Sequence, residues 1–451
     1  MENIENQILK DKRISFLSLG CKVNAYETEV FRERFEKLGA VIVPFEDGNA
    51  DAVVINTCSV TNIADRKSRQ MLHKARKLSP NAVIVAAGCY AQAVREKVVE
   101  SGDADVLAGN DKKDIITELV AEALLKKDPK PACDTAPAYG SGEKEDFCHE
   151  RTRAFIKVTD GCNQFCTYCI IPYVRGRVRS RDTGSIIEEA VNLRDKGYRE
   201  VVLTGIHLSS YGTDLTSDPD AVPLLDLIDE VSKIDGIERI RLGSLEPRII
   251  TDGFVAHIAD NPKVCPHFHL SLQSGSDTVL KRMNRHYTAE DYENACNLLR
   301  KAYELPSINT DIIVGFPGET EEEFNETMEF AKKIGFAKIH IFKYSRRKGT
   351  FADKMPEQVD EEIKTRRSEM LSRIDEANHI NYVSGFVGKK VRILTEQEEV
   401  YDGKKYMTGL TERYVRVALD NRDCPQNVFV DCLVTGIIDR GVLTGIPADI
   451  V

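Results

Sequence analysis

Three cysteines stand close together in residues 160–169, DGCNQFCTYC, where Cys162, Cys166 and Cys169 have the spacing Cys-x3-Cys-x2-Cys. Three thiolates can hold three irons of a 4Fe-4S cluster and leave the fourth iron open to the amino and carboxylate groups of a ligand. A tetrahedral zinc site needs a fourth Cys or His nearby, and His149, ahead of the motif, keeps that alternative open. The segment therefore predicts a cluster with one open coordination position.

A second set of cysteines, Cys21, Cys58 and Cys89, is spread along the chain, but each residue directly follows a mainly apolar run. Glycine precedes Cys21 and Cys89 and permits a tight turn that brings the backbone close to a bulky group. If the three runs are parallel strands of one sheet, their carboxyl ends lie on one edge and the cysteines converge there. A single buried cysteine would be ordinary packing, whereas three at matching strand ends predict a second metal site.

The elements that carry the second set repeat a strand-then-helix pattern, with predicted strands at residues 14–19, 52–57 and 82–87. Apolar runs alternating with amphipathic helices predict a parallel α/β sheet. Residues 126–151 are rich in Pro, Gly, Ser and charge, which indicates a linker. Cys133 and Cys148 lie in this segment, and we expect no ligand role for them because a linker fixes ligand geometry poorly.

The strand-helix alternation resumes after the linker, with six strand candidates. They are residues 154–159, 200–205, 239–244, 267–272, 308–314 and 338–344. Six parallel strands predict a partial (β/α)6 barrel whose active site lies at the strands' C-terminal ends. A long polar helix then precedes short β-like runs at 388–396, 414–420, 428–437 and 441–446, which predict a small all-β module. The predicted domains are residues 1–145, 146–385 and 386–451.

Composition limits the compartment and the partners. The N-terminus has no apolar core with a cleavage site, and no run approaches the ~18–20 apolar residues of a membrane span. We therefore expect a cytoplasmic protein without membrane contact, in which twelve cysteines are metal ligands, catalytic groups or packing residues. We interpret Cys265, Cys296, Cys424 and Cys432 as packing residues. The net charge of −10 disfavours broad electrostatic binding of nucleic acid.

The three-cysteine motif, with the aromatic Tyr168 before its last cysteine, resembles that of the radical-SAM superfamily. The sequences around Cys21, Cys58 and Cys89 resemble the methylthiotransferase family, and this resemblance extends over essentially the whole chain. It implies two 4Fe-4S clusters and S-adenosylmethionine (SAM), which yields a 5′-deoxyadenosyl radical at the cluster of the motif. It also implies an auxiliary cluster that carries the sulfur to be inserted, and a C-terminal domain like the TRAM RNA-binding domain.

The resemblance also implies a cofactor site at the ends of the barrel strands. Gln273 and Ser274 would contact the methionine or ribose part of SAM, and the region of Gly315 its adenine. The full set of expected cofactor residues is Tyr168, Gly205, His207, Gln273, Ser274, Asp311, Gly315 and Tyr344. Many radical-SAM enzymes carry Gly-Gly-Glu after the second strand, where this chain has LTGI at residues 203–206. This chain therefore departs from the common motif at the position expected to contact the amino group of SAM.

The acceptor of the methylthio group differs among related families. LGCKVN at residues 19–24 and NTCSVT at 56–61 look most like the type that acts on N6-threonylcarbamoyladenosine next to the anticodon, at position 37 of tRNA. The resemblance implies two SAM-dependent steps, one that methylates the sulfur and one that substitutes C2 of the adenine. Alternatives are an isopentenyladenosine tRNA or an aspartate of a ribosomal protein. A non-enzymatic alternative is an iron-sulfur protein that binds RNA or carries electrons.

The expected partners are a tRNA anticodon stem-loop, a flavodoxin- or ferredoxin-like reductant and an unidentified sulfur donor, and we expect a monomer. Arg175, Arg177, Arg346 and Arg347 follow predicted site segments and are candidate contacts to phosphate or to the threonyl carboxylate. The alternative for these arginines is ion pairing within the protein. The C-terminal module, from residue 386, has nine Lys and Arg against ten Asp and Glu. Its RNA role is therefore implied by resemblance alone.

Overall fold

The computed structural model describes residues 7–93, 98, 102–126, 152–218, 221–420 and 424–448. The predicted linker, apart from its first residue, lies outside the described residues, as do Cys133 and Cys148. No helix of the described residues is long and apolar enough to cross a membrane.

The N-terminal unit, residues 7–126, is built on a parallel sheet of five strands in the order β2-β1-β3-β4-β5. The strands are β1 (Arg13–Ser18), β2 (Val41–Val43), β3 (Ala52–Thr57), β4 (Val83–Gly88) and β5 (Val106–Ala108). The helices are α1 (Lys22–Lys37), α2 (Asn62–Leu78), α3 (Cys89–Ala93) and α4 (Ile116–Leu125). Every residue of β3 and β4 is buried, because apolar clusters cover both faces of the sheet. This confirms the predicted α/β sheet.

The central unit is a partial barrel with six principal parallel strands, at the positions that the sequence predicts. These strands are β6 (Ala154–Asp160), β8 (Glu200–Gly205), β9 (Arg239–Leu242), β11 (His267–Leu270), β12 (Ser307–Val314) and β13 (Lys338–Lys343). Two further strands of two residues each were not predicted: β7 (Arg179–Ser180), antiparallel to β6, and β10 (Ser244–Leu245). A parallel bridge between Ile240 and Val264 connects the two halves of the barrel wall.

Helices cover the outside of the partial barrel. They are α6 (Thr183–Asp195), α7 (Pro223–Ser232), α8 (Asp252–Ala259), α9 (Asp277–Arg282), α10 (Ala289–Ala302), α11 (Glu321–Ile334) and the long α12 (Glu361–Ser384). The short α5 (Ile171–Val174) instead follows the three-cysteine motif and packs against Cys89. Alternate strand residues such as Phe268 and Ile312 pack in the large apolar core that the helices share. The intervening residues, among them His269, Asp311 and His340, therefore belong to the inner face of the strands.

The C-terminal unit is a closed barrel in the order β14-β15-β16-β18-β17. Its strands are β14 (Lys390–Tyr401), β15 (Lys404–Thr411), β16 (Arg416–Leu419), β17 (Phe429–Ile438) and β18 (Val442–Pro447). Four of the five were predicted, and β15 was missed. Its sequence, KKYMTGLT, begins with two lysines and contains a glycine, and only pairing with both β14 and β16 buries its second half.

The N-terminal unit touches both open edges of the partial barrel. On the β6 side, Glu27 of α1 forms an ion pair with Lys157 at 3.2 Å. On the β13 side, the backbone N–H of Asn62 donates to the Ser345 hydroxyl at 2.8 Å, and Arg347 donates to the Ser59 hydroxyl at 2.7 Å. The unit therefore covers the gap between β6 and β13.

Candidate active site

The first cysteine set lies in the loop that follows β6. Gly161 has φ +73°, and a Cβ there would approach the carbonyl oxygen of Arg177 to 1.9 Å, so the turn requires glycine. Within the loop the backbone N–H of Cys169 donates to the Cys166 carbonyl at 2.9 Å. Phe165 also has a left-handed backbone, with φ +48°. The sequence thus forms a tightly turned loop that gathers its cysteines.

The electrostatics of the first set show that its thiols lie close together. Burial, together with the neighbouring Cys166 and Cys162, raises the pKa of Cys169 to about 12. Burial also raises the pKa of Cys162, again with Cys166 adding to the effect. Ionisation of all three thiols is therefore unfavourable unless a positive group lies beside them, and iron would supply that charge. Arg285 provides part of that charge, because its Nη1 donates to Cys166 Sγ at 3.1 Å.

The second cysteine set lies at the carboxyl ends of β1, β3 and β4, as predicted. Gly20 has φ +98°, and a Cβ there would lie 2.6 Å from Cys58 Sγ. Burial raises the pKa of Cys58 to about 11, and the thiols of Cys21 and Cys89 contribute to the shift. Cys58 and Cys89 are buried, whereas Cys21 is exposed. The three loops therefore bring these cysteines together at one sheet edge.

Arg175 connects the two cysteine loops. Its Nε donates to Cys89 Sγ at 3.3 Å, and its Nη2 donates to Asn24 Oδ1 at 2.9 Å. Its Nη1 contacts Glu27 at 3.0 Å and Asp160, two residues before Cys162, at 3.1 Å. Burial opposes the charge, but Asp160 and Glu27 raise the pKa of Arg175 well above its usual value. One buried guanidinium thus joins the motif loop to the second set.

The donor chemistry of both sets fits clusters better than a single ion. Among the residues that the structure describes, no three His, Cys, Asp or Glu side chains converge closely enough to hold one metal ion. In a four-iron cluster each thiolate contacts a different iron, so its ligands need not meet at one point. Two sets of three cysteines, each with an arginine at one sulfur, suit that larger and more diffuse negative group.

Comparisons with known proteins agree with this geometry. Residues 156–331 match the Radical SAM superfamily, and residues 13–109 match the Uncharacterized protein family UPF0004. The threonylcarbamoyladenosine tRNA methylthiotransferase MtaB of Bacillus subtilis is 39% identical over 90% of this chain and 89% of its own length. The MtaB protein of Aquifex aeolicus is also 39% identical, over 90% of this chain and 98% of its own. The chain belongs to the radical-SAM methylthiotransferase family.

Another relative acts on a different nucleoside, and the similar solved structures share only the fold. A tRNA-2-methylthio-N(6)-dimethylallyladenosine synthase of Caldicellulosiruptor saccharolyticus is 36% identical over 86% of this chain and 83% of its own length. The radical SAM methyltransferase TsrM of Kitasatospora setae has a TM-score of 0.53 at 16% identity, covering 74% of this chain and 72% of that one, which supports the fold alone. As a radical-SAM methylthiotransferase, the protein is an enzyme that uses a 4Fe-4S cluster and SAM.

Around the motif of this methylthiotransferase, three side chains form a polar network that the sequence did not reveal. Arg285 Nε donates to the Tyr287 hydroxyl at 2.9 Å, and its Nη2 lies 3.8 Å from Glu246. Glu246 is also 3.6 Å from Nε2 of His207, a predicted cofactor residue whose pKa is lowered by burial. Burial also raises the pKa of Tyr168 well above its usual value. Arg285, Tyr287 and Glu246 follow no motif, so only the fold could reveal them.

The predicted cofactor residues beyond this network fall into two groups. Gln273 has φ +73°, and its backbone N–H donates to the Asp311 carbonyl at 2.8 Å. The carboxylate of Asp311 lies 3.1 Å from His269. Ser274, by contrast, is fully buried, and its hydroxyl shares a hydrogen bond with Thr327 at 3.1 Å. Gln273 and Asp311 therefore lie next to each other, whereas the Ser274 hydroxyl is engaged by Thr327 inside the core.

Gly205, Gly315 and Tyr344 all occupy crowded positions at strand ends. A Cβ on Gly205 would lie 2.4 Å from Thr159 Cγ2, and one on Gly315 would lie 2.3 Å from Lys364 Cγ. Both glycines are thus required for close packing, whatever they contact. Tyr344 is buried and meets Phe316 edge to face, with the ring centroids 5.6 Å apart.

The four candidate substrate arginines differ in their surroundings. Arg175 and Arg347 are buried and paired within the protein, the latter with Asp65 at 2.8 Å, so both fit the alternative interpretation as internal ion pairs. Arg346 is exposed and pairs with Asp353 at 2.7 Å. Arg177 is exposed and stacks on Phe165, with 4.4 Å between the guanidinium carbon and the ring centroid.

Polar residues on the inner face of the partial barrel lie near Lys22, which directly follows Cys21. They include His269 and His340, whose rings stack 5.5 Å apart, and Asp311. Lys22, next to Cys21, lies within electrostatic range of Asp311. We call the space bounded by Lys22, His269, Asp311, His340 and Tyr414 the chamber.

Proposed function

We propose that the protein transfers a methylthio group to C2 of N6-threonylcarbamoyladenosine at position 37 of tRNA. The observation that carries this proposal is the meeting of two three-cysteine sets through one arginine, Arg175, beside a polar chamber. Relatives 37–39% identical over 90% of the chain carry the name of this activity. A C2–H bond of adenine has no acidic proton, so a radical route suits the substitution better than acid-base catalysis.

We propose that Cys162, Cys166 and Cys169 hold the cluster that binds SAM, and that Cys21, Cys58 and Cys89 hold an auxiliary cluster. When bound, the first cluster would supply the electron that cleaves SAM into methionine and the 5′-deoxyadenosyl radical. The second would supply the sulfur, to which another SAM would give the methyl group. In this proposal Tyr168, His207, Gln273 and Asp311 line the SAM site, with Gly205, Gly315 and Tyr344 shaping its wall and Ser274 supporting it from the core.

The protein's own residues position and protect the reacting groups. Arg285 and Arg175 each hold one cysteine sulfur, which fixes the loops and offsets negative charge. The N-terminal unit spans the open side of the barrel through Glu27, Asn62 and Arg347, so it limits the entry of water to a radical reaction. An anticodon loop is already single-stranded, which lowers the cost of presenting one base to this space.

RNA would approach beside the motif loop. Tyr173 is 57% exposed, and its ring meets that of Phe165 edge to face. The guanidinium of Arg177 stacks on the same Phe165 ring. Exposed aromatic and guanidinium planes stack on unpaired bases. We propose that this group, with Arg346, holds the anticodon loop.

The remaining proposals concern context. We propose cytoplasmic action as a monomer, electron supply by a flavodoxin- or ferredoxin-like protein, and a separate sulfur donor. The proposed domains are residues 1–145, 146–385 and 386–451, and the last boundary agrees with the end of α12 at Ser384.

Measurement of modified nucleosides in tRNA from cells lacking this gene tests the acceptor. We expect the methylthio derivative of threonylcarbamoyladenosine to disappear and the isopentenyladenosine derivative to persist. Loss of the latter alone would assign the protein to the dimethylallyl type instead.

In vitro, the triple Ala variant of Cys21, Cys58 and Cys89 should still cleave SAM reductively but insert no sulfur, and methylthiolation by that variant would refute the auxiliary site.

A further inference from the structure

The floor of the chamber is formed around one tyrosine of the C-terminal barrel. Tyr414 lies between β15 and β16 and has φ +64°. Its ring is 5.0 Å from that of His267, and the guanidinium carbons of Arg241 and Arg153 lie 4.7 and 5.4 Å from its centroid. Lys22 Nζ lies 5.9 Å from the same centroid. Three cations therefore surround a single ring.

The three cations differ in how they are neutralised. Arg241 pairs with Glu200 at 2.8 Å, and Arg153 pairs with Glu200 at 3.3 Å and with Glu396 at 2.7 Å. Among the residues that the structure describes, no carboxylate forms an ion pair with Lys22. Glu200 and Asp311 act on Lys22 at longer range, but Glu200 is paired with Arg241 and Arg153, and Asp311 is engaged by His269. Lys22 thus differs from Arg241 and Arg153, each of which forms a direct ion pair.

Lys22 is also accessible in a way that suits a ligand. Its side chain is solvent-exposed, and its Nζ lies 5.9 Å from the centroid of the Tyr414 ring. Within the described part of the chain, the Tyr414 hydroxyl makes no hydrogen bond, so a second donor is available at the same place. An ammonium and a phenol hydroxyl together match a carboxylate.

We infer that Lys22, with Tyr414 beside it, binds the carboxylate on the N6 substituent of the substrate nucleoside. This inference rests on the proposed function, which supplies a threonylcarbamoyl group at N6. C2 and C6 of adenine flank the same ring nitrogen, so a contact to the N6 substituent must lie near the group that acts on C2. Lys22 meets this condition because it directly follows Cys21.

The test compares two anticodon stem-loop RNAs, one with threonylcarbamoyladenosine and one with its methyl ester. Binding to the iron-loaded enzyme is measured by fluorescence anisotropy, and the ratio of the two Kd values is taken within each preparation. We expect the wild-type enzyme to bind the acid about tenfold more tightly than the ester, as for one charged hydrogen bond. Lys22→Met should abolish this preference and Lys22→Arg should keep most of it.

Lys37→Met is the matched control, because Lys37 is an exposed lysine at the other end of α1. It should retain the full preference. Iron content and the EPR spectrum of each variant are recorded, since Lys22 adjoins a cysteine ligand. A Lys22→Met enzyme that keeps the preference, or a wild-type enzyme without one, overturns the inference. Product formation on the acid RNA is assayed separately, and its absence would refute the proposed function rather than the role of Lys22.

Discussion

Arg175 and Arg285 hold equivalent positions at the two cysteine sets. Arg175 donates to Cys89 Sγ at 3.3 Å, and Arg285 donates to Cys166 Sγ at 3.1 Å. A hydrogen bond and a positive charge at a ligating sulfur stabilise the more negative, reduced state of an iron-sulfur cluster. If both sets hold clusters as proposed, each arginine has a measurable electronic consequence besides its structural one.

Replacing Arg285 by Met should lower the reduction potential of the motif cluster by about 60 mV, the one-electron equivalent of a tenfold equilibrium change. EPR-monitored redox titration of the iron-loaded protein measures it. Arg248→Met is the control, because Arg248 contacts Glu246 at 3.2 Å and no cysteine. An unchanged potential in the Arg285 variant would mean that its contact to Cys166 is only structural.

Glu27 is the central anion of a buried ion cluster. Burial alone would raise the pKa of Glu27, but Arg175, Lys113 and Lys157 hold it well below its usual value of 4.5. Glu27→Gln leaves three buried cations with fewer partners and should reduce the free energy of unfolding by about 3–5 kcal/mol at pH 7. Urea unfolding measures this loss.

The depressed pKa of Glu27 sets the direction of the pH dependence. Its stabilisation is present above the unfolded value of 4.5 and is lost as pH falls further toward the native value. The difference between wild type and Glu27→Gln should therefore shrink below about pH 4.5. Glu36→Gln, on the exposed end of the same helix, should change stability by less than ~0.5 kcal/mol at any pH. A constant difference across pH would contradict this origin.

At the scale of elements, the sequence predicted the strands whose own residues form an apolar run. The strands before Cys21, Cys58 and Cys89 were found because all three are apolar runs, and their shared edge followed from parallel pairing. β15 was missed because two lysines and a glycine interrupt its apolar pattern, and its burial depends on pairing with both β14 and β16. Arg285 was missed for a similar reason, since 119 residues separate it from the sulfur that it contacts.

The closure of the barrel by the N-terminal unit gives an element-scale prediction. Arg347, after β13, reaches Ser59 and Asn62 in the loop before α2 and the start of that helix, at 2.7 and 2.8 Å. Arg347→Ala should loosen this edge, admit water and raise the ratio of 5′-deoxyadenosine to methylthio product several-fold. Both products are measured by mass spectrometry. Lys348→Ala, an exposed neighbour, should leave the ratio unchanged, and an equal rise in both variants would exclude the edge contact as the cause.

At the scale of the whole molecule, two arginines at the start of β9 dock the C-terminal barrel. Arg239 donates to the Leu410 carbonyl at 3.0 Å, and Arg241 donates to the Glu412 carbonyl at 2.8 Å. These contacts lie at the N-terminal ends of the barrel strands, opposite the motif loop after β6. The docked barrel therefore closes this end of the partial barrel.

Loss of Arg241 should undock this barrel without unfolding it, because the barrel has its own apolar core. Arg241 is fully buried, and Arg241→Met removes both its carbonyl contacts and its pair with Glu200. We expect about 3–5 kcal/mol of lost stability and rapid proteolysis near Gly388, directly before β14. Arg416→Met is the control, since Arg416 pairs with Glu399 inside the barrel. Equal proteolysis of the two variants would show that cleavage reflects a general loss of barrel stability and not the loss of docking by Arg241.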